Sequence, residues 1–297
     1  VTMTKLIERI EAICISHFSS NLKKKVEGFL WLLKRKRFHQ IYGVIKENEI
    51  NAIAFTWQNE FHPQAEKISM FADETIGPET IKELIGKLIH HTPDTTADHF
   101  VCSVLSDESM IIDTLKENQF QLMRKTYMPN WEVSVLLEKL EALNTVTHGV
   151  YSLNKILKDE QHKLSFIKML KSDYTQSHLV SPVAERSLEE WEALLLDGEP
   201  DLHNSLVYIE NDVIRGYILL HPVSDRHYEI GWIGSFEKDI PMEVLRGIFK
   251  EQLIRLRDKG IQTVEAEVDS TDLLAYELFS FAHFKGEPSW DSYKLVF

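Results

Sequence analysis

The sequence predicts a mixed α/β chain made of two tandem copies of one unit. Three observations predict it. Stretches with helical and with strand periodicity alternate along the whole chain. The two halves run through the same order of elements. Landmarks of the first half also recur in the second at near-constant spacing. Asn48 matches Asn211, Glu66 matches Glu229 and Pro78 matches Pro241 at an offset of 163; Val104 matches Val268 and Phe120 matches Phe284 at 164. A constant offset with one residue of drift marks a duplicated unit. The copies fall at residues 1–135 and 149–297, joined by a short helical linker at 136–148.

In order, Thr4–Phe18 and Asn21–Phe38 read as helices, and Ile41–Lys46 and Ile50–Trp57 as a hairpin around a Glu47-Asn48-Glu49 turn. Lys67–Phe71 is a strand, Pro78–His91 a helix, His99–Leu105 a strand, Ser109–Asn118 a helix and Arg124–Val135 a closing strand. The second half begins with Tyr151–Leu157, a strand or a helix start, and helices at Lys158–Ser172 and Ser187–Leu196. A hairpin, Leu206–Ile209 with Val213–Leu220, turns at Glu210-Asn211-Asp212 and leads to the strand His227–Gly234. In the next helix Met242, Leu245, Ile248, Phe249 and Leu256 recur at three- and four-residue steps. Pro241 suits its first position and Gly260 its stop. Ile261, Val264, Ala266 and Val268 form a buried strand. Asp272 then caps the helix that carries Ala275, Leu278, Phe279 and Ala282. Tyr293–Phe297 is the last strand.

Of the 297 residues, 43% are hydrophobic and 27% charged, the balance of a globular protein. No apolar run approaches the roughly 20 residues of a membrane span. The amphipathic start reads as a helix and not as a secretory signal. Cys14 and Cys102 lie 88 positions apart with no metal-like spacing, which suits reduced thiols in a cytoplasmic protein. The net charge is −13, of which the half after Thr147 carries −10. That disfavours nucleic acid as a partner and suits a cationic amine drawn in by steering. Lys23-Lys24-Lys25 with Lys34-Arg35-Lys36-Arg37 reads as a solvated helix face. His90-His91 lacks a carboxylate or Cys partner at metal spacing, so no metal site is expected.

The stretch Val268-Asp269-Ser270-Thr271-Asp272, followed by Ala275, Leu278, Phe279, His283 and Phe284, resembles a turn and helix of the GNAT superfamily, the acetyl-CoA-dependent N-acetyltransferases. Glu229-Ile230-Gly231-Trp232-Ile233-Gly234 is similar to that family's central strand. The resemblance covers about Tyr151–Phe297. It implies two tandem GNAT-like domains, each a mixed, mostly antiparallel sheet flanked by helices, the second better preserved. It also implies an acetyl-CoA- or other acyl-CoA-dependent N-acyltransferase acting on a small-molecule or peptide amine by direct attack in a ternary complex, in a monomer or homodimer without a metal. Acyl-CoA contacts would fall on Trp232, Ile233 and Gly234 of the central strand, on Lys238, Ile240 and Met242 at the cofactor loop and helix, and on Asp272 and Phe279.

Amine acylation needs a proton acceptor for the ammonium and a donor or dipole for the departing thiolate. Glu229 is the candidate base. Its counterpart Glu66, beside Lys67, reads as a surface ion-pair partner. The family's acid tyrosine falls on Phe279, or on Leu115 in the first copy; neither donates a proton, and Tyr276, on roughly the same helix face, is the substitute candidate. His283 replaces a family glycine and reads as a C-terminal cap. Tyr208, Tyr217 and Trp232 are sheet aromatics that read as sheet packing, the alternative being that alternation aims some of them at the cleft. The loop Ser235–Met242 has no Gly-x-Gly and sets Glu237 and Asp239, with Lys238 between them, where phosphates would sit. These departures support an alternative: a catalytically inactive GNAT-like module that binds a ligand or a protein.

Overall fold

The computed structural model describes residues 6–9, 17–46, 48–90, 96–179, 181–235, 240–285 and 288–297. In chain order the first half gives β1 (Leu6–Arg9), α1 (Ser20–Val26), α2 (Leu30–Lys34), β2 (Gln40–Lys46), β3 (Glu49–Asn59), β4 (His62–Ala72), α3 (Pro78–Ile89), β5 (His99–Leu105), α4 (Ser109–Glu117), β6 (Gln121–Tyr127) and β7 (Asn130–Glu132). There follow α5 (Val133–Lys139), β8 (Val150–Ser152), α6 (Leu153–Lys158), α7 (Glu160–Ser177), α8 (Leu188–Asp197), β9 (Leu206–Glu210), β10 (Val213–Ser224) and β11 (His227–Ser235). The chain closes with α9 (Met242–Asp258), β12 (Thr263–Ala266), β13 (Val268–Asp269), α10 (Leu273–Leu278) and β14 (Trp290–Val296).

Two compact units result, and they are not the two halves of the sequence. The first comprises residues 1–124, 180–184 and 290–297; the second comprises 125–179 and 185–289. The first unit's sheet runs β1-β2-β3-β4-β5-β14, with β6 beside β14, and the second's runs β8-β9-β10-β11-β12-β7. In each run of six, a single neighbouring pair is parallel, β4 with β5 and β11 with β12; the other pairs are antiparallel.

The closing strands are exchanged. Tyr293–Phe297, expected to finish the second copy, lies in the first unit, where Leu295 pairs with Phe100 on β5. In the second unit the corresponding place beside the parallel pair is taken by β7, with Trp131 paired to Val264 on β12. Both pairings match at the offset of 164: Phe100 becomes Val264, and Trp131 becomes Leu295. The expected strand Arg124–Val135 is split into β6 and β7 around Pro129, which has no N–H for a ladder. The expected linker is part of a core: Val133, Leu136 and Leu140 are buried against α9.

The amino terminus departs from expectation too. Leu6–Arg9 is a strand, with Leu6 opposite Ile45, where a helix over Thr4–Phe18 was predicted. The open edge of β2 offers ladder partners that outweigh a weak helical pattern; residues 10–16 of that stretch lie outside the described residues. The helix expected over Asn21–Phe38 breaks into α1, a 3-10 turn at Glu27–Phe29 around Gly28, and α2. The basic run is the solvated face predicted, with Lys25 donating to the Ala72 carbonyl at 3.0 Å. Cys102 is buried, and burial pushes its thiol up to about 12, so it is an inert core residue.

The duplication is visible in backbone angles. Asn48 and Asn211 both take left-handed angles, φ 66° and 51°, at their hairpin turns, a conformation asparagine tolerates. Gln119 (φ 66°) and His283 (φ 50°) are a second pair, each closing a helix just before a buried phenylalanine, Phe120 or Phe284. His283 is thus the C-cap its position suggested. A β-carbon in this region costs about 1 kcal/mol. We expect His283→Gly to raise the stability of the second unit by about 0.5–1 kcal/mol, read as a higher denaturant midpoint at constant slope.

The repeat drifts by one residue more in the central strand. His99 pairs with Ala65 and Thr263 with His227, so β4 maps to β11 at 162 while β5 maps to β12 at 164. Lys67, not Glu66, is therefore the counterpart of Glu229. Glu66 is no surface partner either: it is 0% exposed, with His39 Nδ1 at 2.7 Å from its Oε1.

Candidate active site

The second unit opens where its parallel strands part. β11 and β12 pair from His227 with Thr263 as far as Ile230 with Ala266, and no further. At that point β11 also carries a bulge on its other side. Ile218 faces Ile233 and Leu220 faces Ile230, so Gly231 and Trp232 together oppose Leu219. An extra residue bends a strand and re-aims its side chains. Helix α9 begins a few residues beyond, at Met242, with Leu245, Ile248, Phe249, Leu253 and Leu256 on its buried face. Each such side chain contributes about 1.5–3 kcal/mol of burial.

A cleft of about 640 Å³ lies beside the bulge, lined by Leu194, Asp197 and Gly198 from the end of α8, by His221 and Val223 of β10, and by Glu229, Gly231 and Trp232 of β11. Glu229 and His221 are direct cross-strand partners. His221 Nδ1 is 2.7 Å from the Gly198 carbonyl oxygen. A carbonyl only accepts, so Nδ1 carries the hydrogen, which leaves Nε2 as the position where the ring can take up or release a proton. That ring lies over Gly231, where a β-carbon would stand 2.6 Å from Nε2. A larger residue at this position would have to displace the His221 ring.

The support of this geometry runs back to α8 and its following loop. A capping box between Ser187 and Glu190 starts α8, and Gly198 closes it. The loop is anchored by Asp201, whose carboxylate accepts from the Asn204 side-chain amide at 2.7 Å, Lys259 at 2.9 Å and the Tyr228 hydroxyl at 2.9 Å. Burial pushes this carboxyl up, but the bonds from Asn204, Lys259 and Tyr228 outweigh it and hold it well below the usual carboxylate range. Because the folded value lies below the unfolded one of about 3.9, the network's contribution is complete above that pH and is lost as pH falls toward the folded value. Asp201→Asn should cost about 2 kcal/mol near neutral pH. The gap to the unsubstituted protein should narrow below about pH 4 in urea titrations; a gap independent of pH would remove the charge from the explanation.

Of the residues singled out in the sequence, Glu229 and Trp232 share the cleft. The Trp232 ring packs on Tyr174 of α7 at 5.8 Å. Ile233 is partly buried against the core, and Ile240 is buried. Gly234 is buried where a β-carbon would collide with the Asp173 carboxylate and the Tyr217 ring. Tyr217 is itself buried, edge-on to Phe166 at 5.1 Å; burial first, then the adjacent Asp173, raises its hydroxyl well above the ordinary value. It is a packing residue. Tyr208 lies on β9 with its hydroxyl 3.4 Å from Glu210. Met242 opens α9. Asp272 is the expected N-cap, accepting from Leu274 and Ala275 amides.

Phe279 has no exposed surface; it is wedged against Trp131 at 5.2 Å and Phe249 at 5.7 Å. Tyr276 packs on Phe284 at 5.2 Å and Tyr127 at 6.4 Å, with the Lys285 ammonium 4.6 Å from its ring. Lys238, with Glu237 and Asp239, lies outside the described residues. His221, Gly198 and Asp197 were not singled out in the sequence. A His facing an acid across a hairpin was the available signal, but it depends on register.

Solved structures share this fold over most or nearly all of the chain. A GCN5-related N-acetyltransferase from Sphaerobacter thermophilus superposes with a TM-score of 0.64 at 11% identity, over 98% of this chain and 95% of that one. A tandem GNAT protein from the clavulanic acid biosynthesis pathway gives 0.51 at 7%, over 86% and 82%. This chain has the tandem GNAT fold. A GNAT-family acetyltransferase from Colwellia psychrerythraea is a further match, at 0.54 and 8% identity over 98% and 100%. No protein-family model and no curated protein matches the sequence. The GNAT likeness therefore rests on backbone architecture: the parallel pair that parts, the helix beginning beyond it, and its repetition.

Proposed function

We propose that the second unit is an acyl-CoA-dependent N-acyltransferase for a small amine. The carrying observation is the parting of β11 from β12 at a bulge that sets Glu229 in a cleft. The stretch Gly231–Ser235 has no ladder partners on β12, and backbone groups left unpaired on that side would suit the amides of a pantetheine arm. The Ser235 hydroxyl is buried there with no hydrogen-bond partner among the described residues. Trp232, Ile233 and Gly234 would line that arm, and the first turn of α9 at Met242 would meet its phosphates. Acetyl-CoA, or another acyl-CoA, supplies the thioester carbon on which the new C–N bond forms as the C–S bond breaks.

Glu229 takes the proton of the incoming ammonium, directly or through water, so that the amine's lone pair is free to attack. His221 Nε2 is the second acceptor, kept in the right tautomer by Gly198. The Glu229 carboxylate also favours the cationic acceptor over neutral competitors before the proton leaves.

A second reading is favoured by the burial of Phe279 and the engagement of Tyr276 by Lys285: a GNAT-fold module that binds a ligand or protein without turnover. Calorimetric titration with acetyl-CoA separates the two. Micromolar binding, followed by CoA release with an amine panel, supports the transferase; no binding at millimolar concentration sinks it and leaves the module.

A further inference from the structure

The chemistry of the cleft walls carries a narrower conclusion, which rests on the cleft being the acceptor site. We propose that the acceptor is a monoamine with an apolar body, an alkylamine or arylalkylamine. Its ammonium would sit at Glu229 and His221, and its body along Leu194, Val223 and the Trp232 ring. No lysine or arginine is among the described residues lining the cleft. An acceptor bearing a carboxylate or phosphate would find no counter-charge there and would meet Glu229 and Asp197 instead.

A sugar amine fares no better, because Leu194, Pro222 and Val223 offer its several hydroxyls no hydrogen-bond partner and the Trp232 indole offers a single donor. A polyamine would bring a second ammonium to those same walls. Asp197, the other acid among the described lining residues, is exposed at the rim, where an ion pair is worth little. The Trp232 wall is held in place: Tyr174 touches it at 5.8 Å, touches Trp191 at 5.5 Å and stacks on His178 at 4.1 Å. A fixed aromatic face favours a body that stacks or packs on it. The volume of about 640 Å³ lies in the range of small-molecule sites.

The test uses the full chain and three amines: 2-phenylethylamine, ethanolamine and spermidine. Each is titrated calorimetrically without acyl-CoA, and each is then assayed for CoA release with acetyl-CoA. We expect 2-phenylethylamine to bind about tenfold or more tightly than either other amine. Val223 is 53% exposed, so Val223→Lys should fold normally; it removes part of the apolar wall and sets a cation near the bound ammonium, and it should weaken that binding about threefold or more. The preference together with the loss in the variant, but without CoA release, keeps this inference and removes the transferase reading. CoA release with ethanolamine or spermidine at the higher kcat/KM keeps the transferase reading and overturns this inference. Equal affinities, no binding of any amine, or undiminished binding by Val223→Lys overturns it as well.

Discussion

Glu229→Gln is expected to cut turnover about a hundredfold or more while leaving acetyl-CoA affinity unchanged. Glutamine keeps the size of the side chain and the backbone pairs of β11 with His221 and Glu265, so the cleft should persist. What is lost is a proton acceptor beside the ammonium and the negative charge that draws it in. Both losses fall on the acceptor side, so kcat/KM for the amine should drop and KM for acetyl-CoA should hold. Equal turnover in the two proteins would remove Glu229 from the mechanism. His221→Gln is the companion variant: a comparable loss there, with Glu229 intact, would give the proton to the imidazole.

Removing residues 290–297 should unfold the first unit and spare the second. β14 gives the first unit's sheet its ladder to β5 from Trp290 to Val296, and it buries Tyr293, Asp291 and Ser292. Tyr293→Ala alone should cost about 3 kcal/mol, the usual range for emptying a buried aromatic site; the full deletion should cost more. Hydrogen exchange locates the effect. Amides of β5 should lose protection, while those of β12, closed by β7, should keep theirs. Loss confined to β12 would contradict the strand exchange.

The sequence by itself determined the kinds of most elements, the duplication, and several special positions. The hairpin turns at Asn48 and Asn211 were legible because left-handed turns select asparagine. The apolar face of α9 and the cap at Asp272 were legible because each involves residues within a turn or two. Glu229 was placed on the central strand by its neighbours alone.

Tertiary structure decided the rest. Tyr293–Phe297 alternates as well for one sheet edge as for the other, so its partner is set by long-range hydrogen bonding and closure, not by pattern. The same freedom made Leu6–Arg9 a strand at the edge of β2. The pairing of His221 with Glu229 was hidden for a subtler reason. Counting back from the turn that pairs Ser224 with His227 would set Pro222 against Glu229. The irregularity at Val223 slips the register by one residue and brings His221 there instead. A local pattern repeats every two residues in a strand and carries no record of such a slip. The residue that shares the cleft with Glu229 was therefore fixed by one bulge, and its tautomer by a carbonyl 23 positions away in the chain.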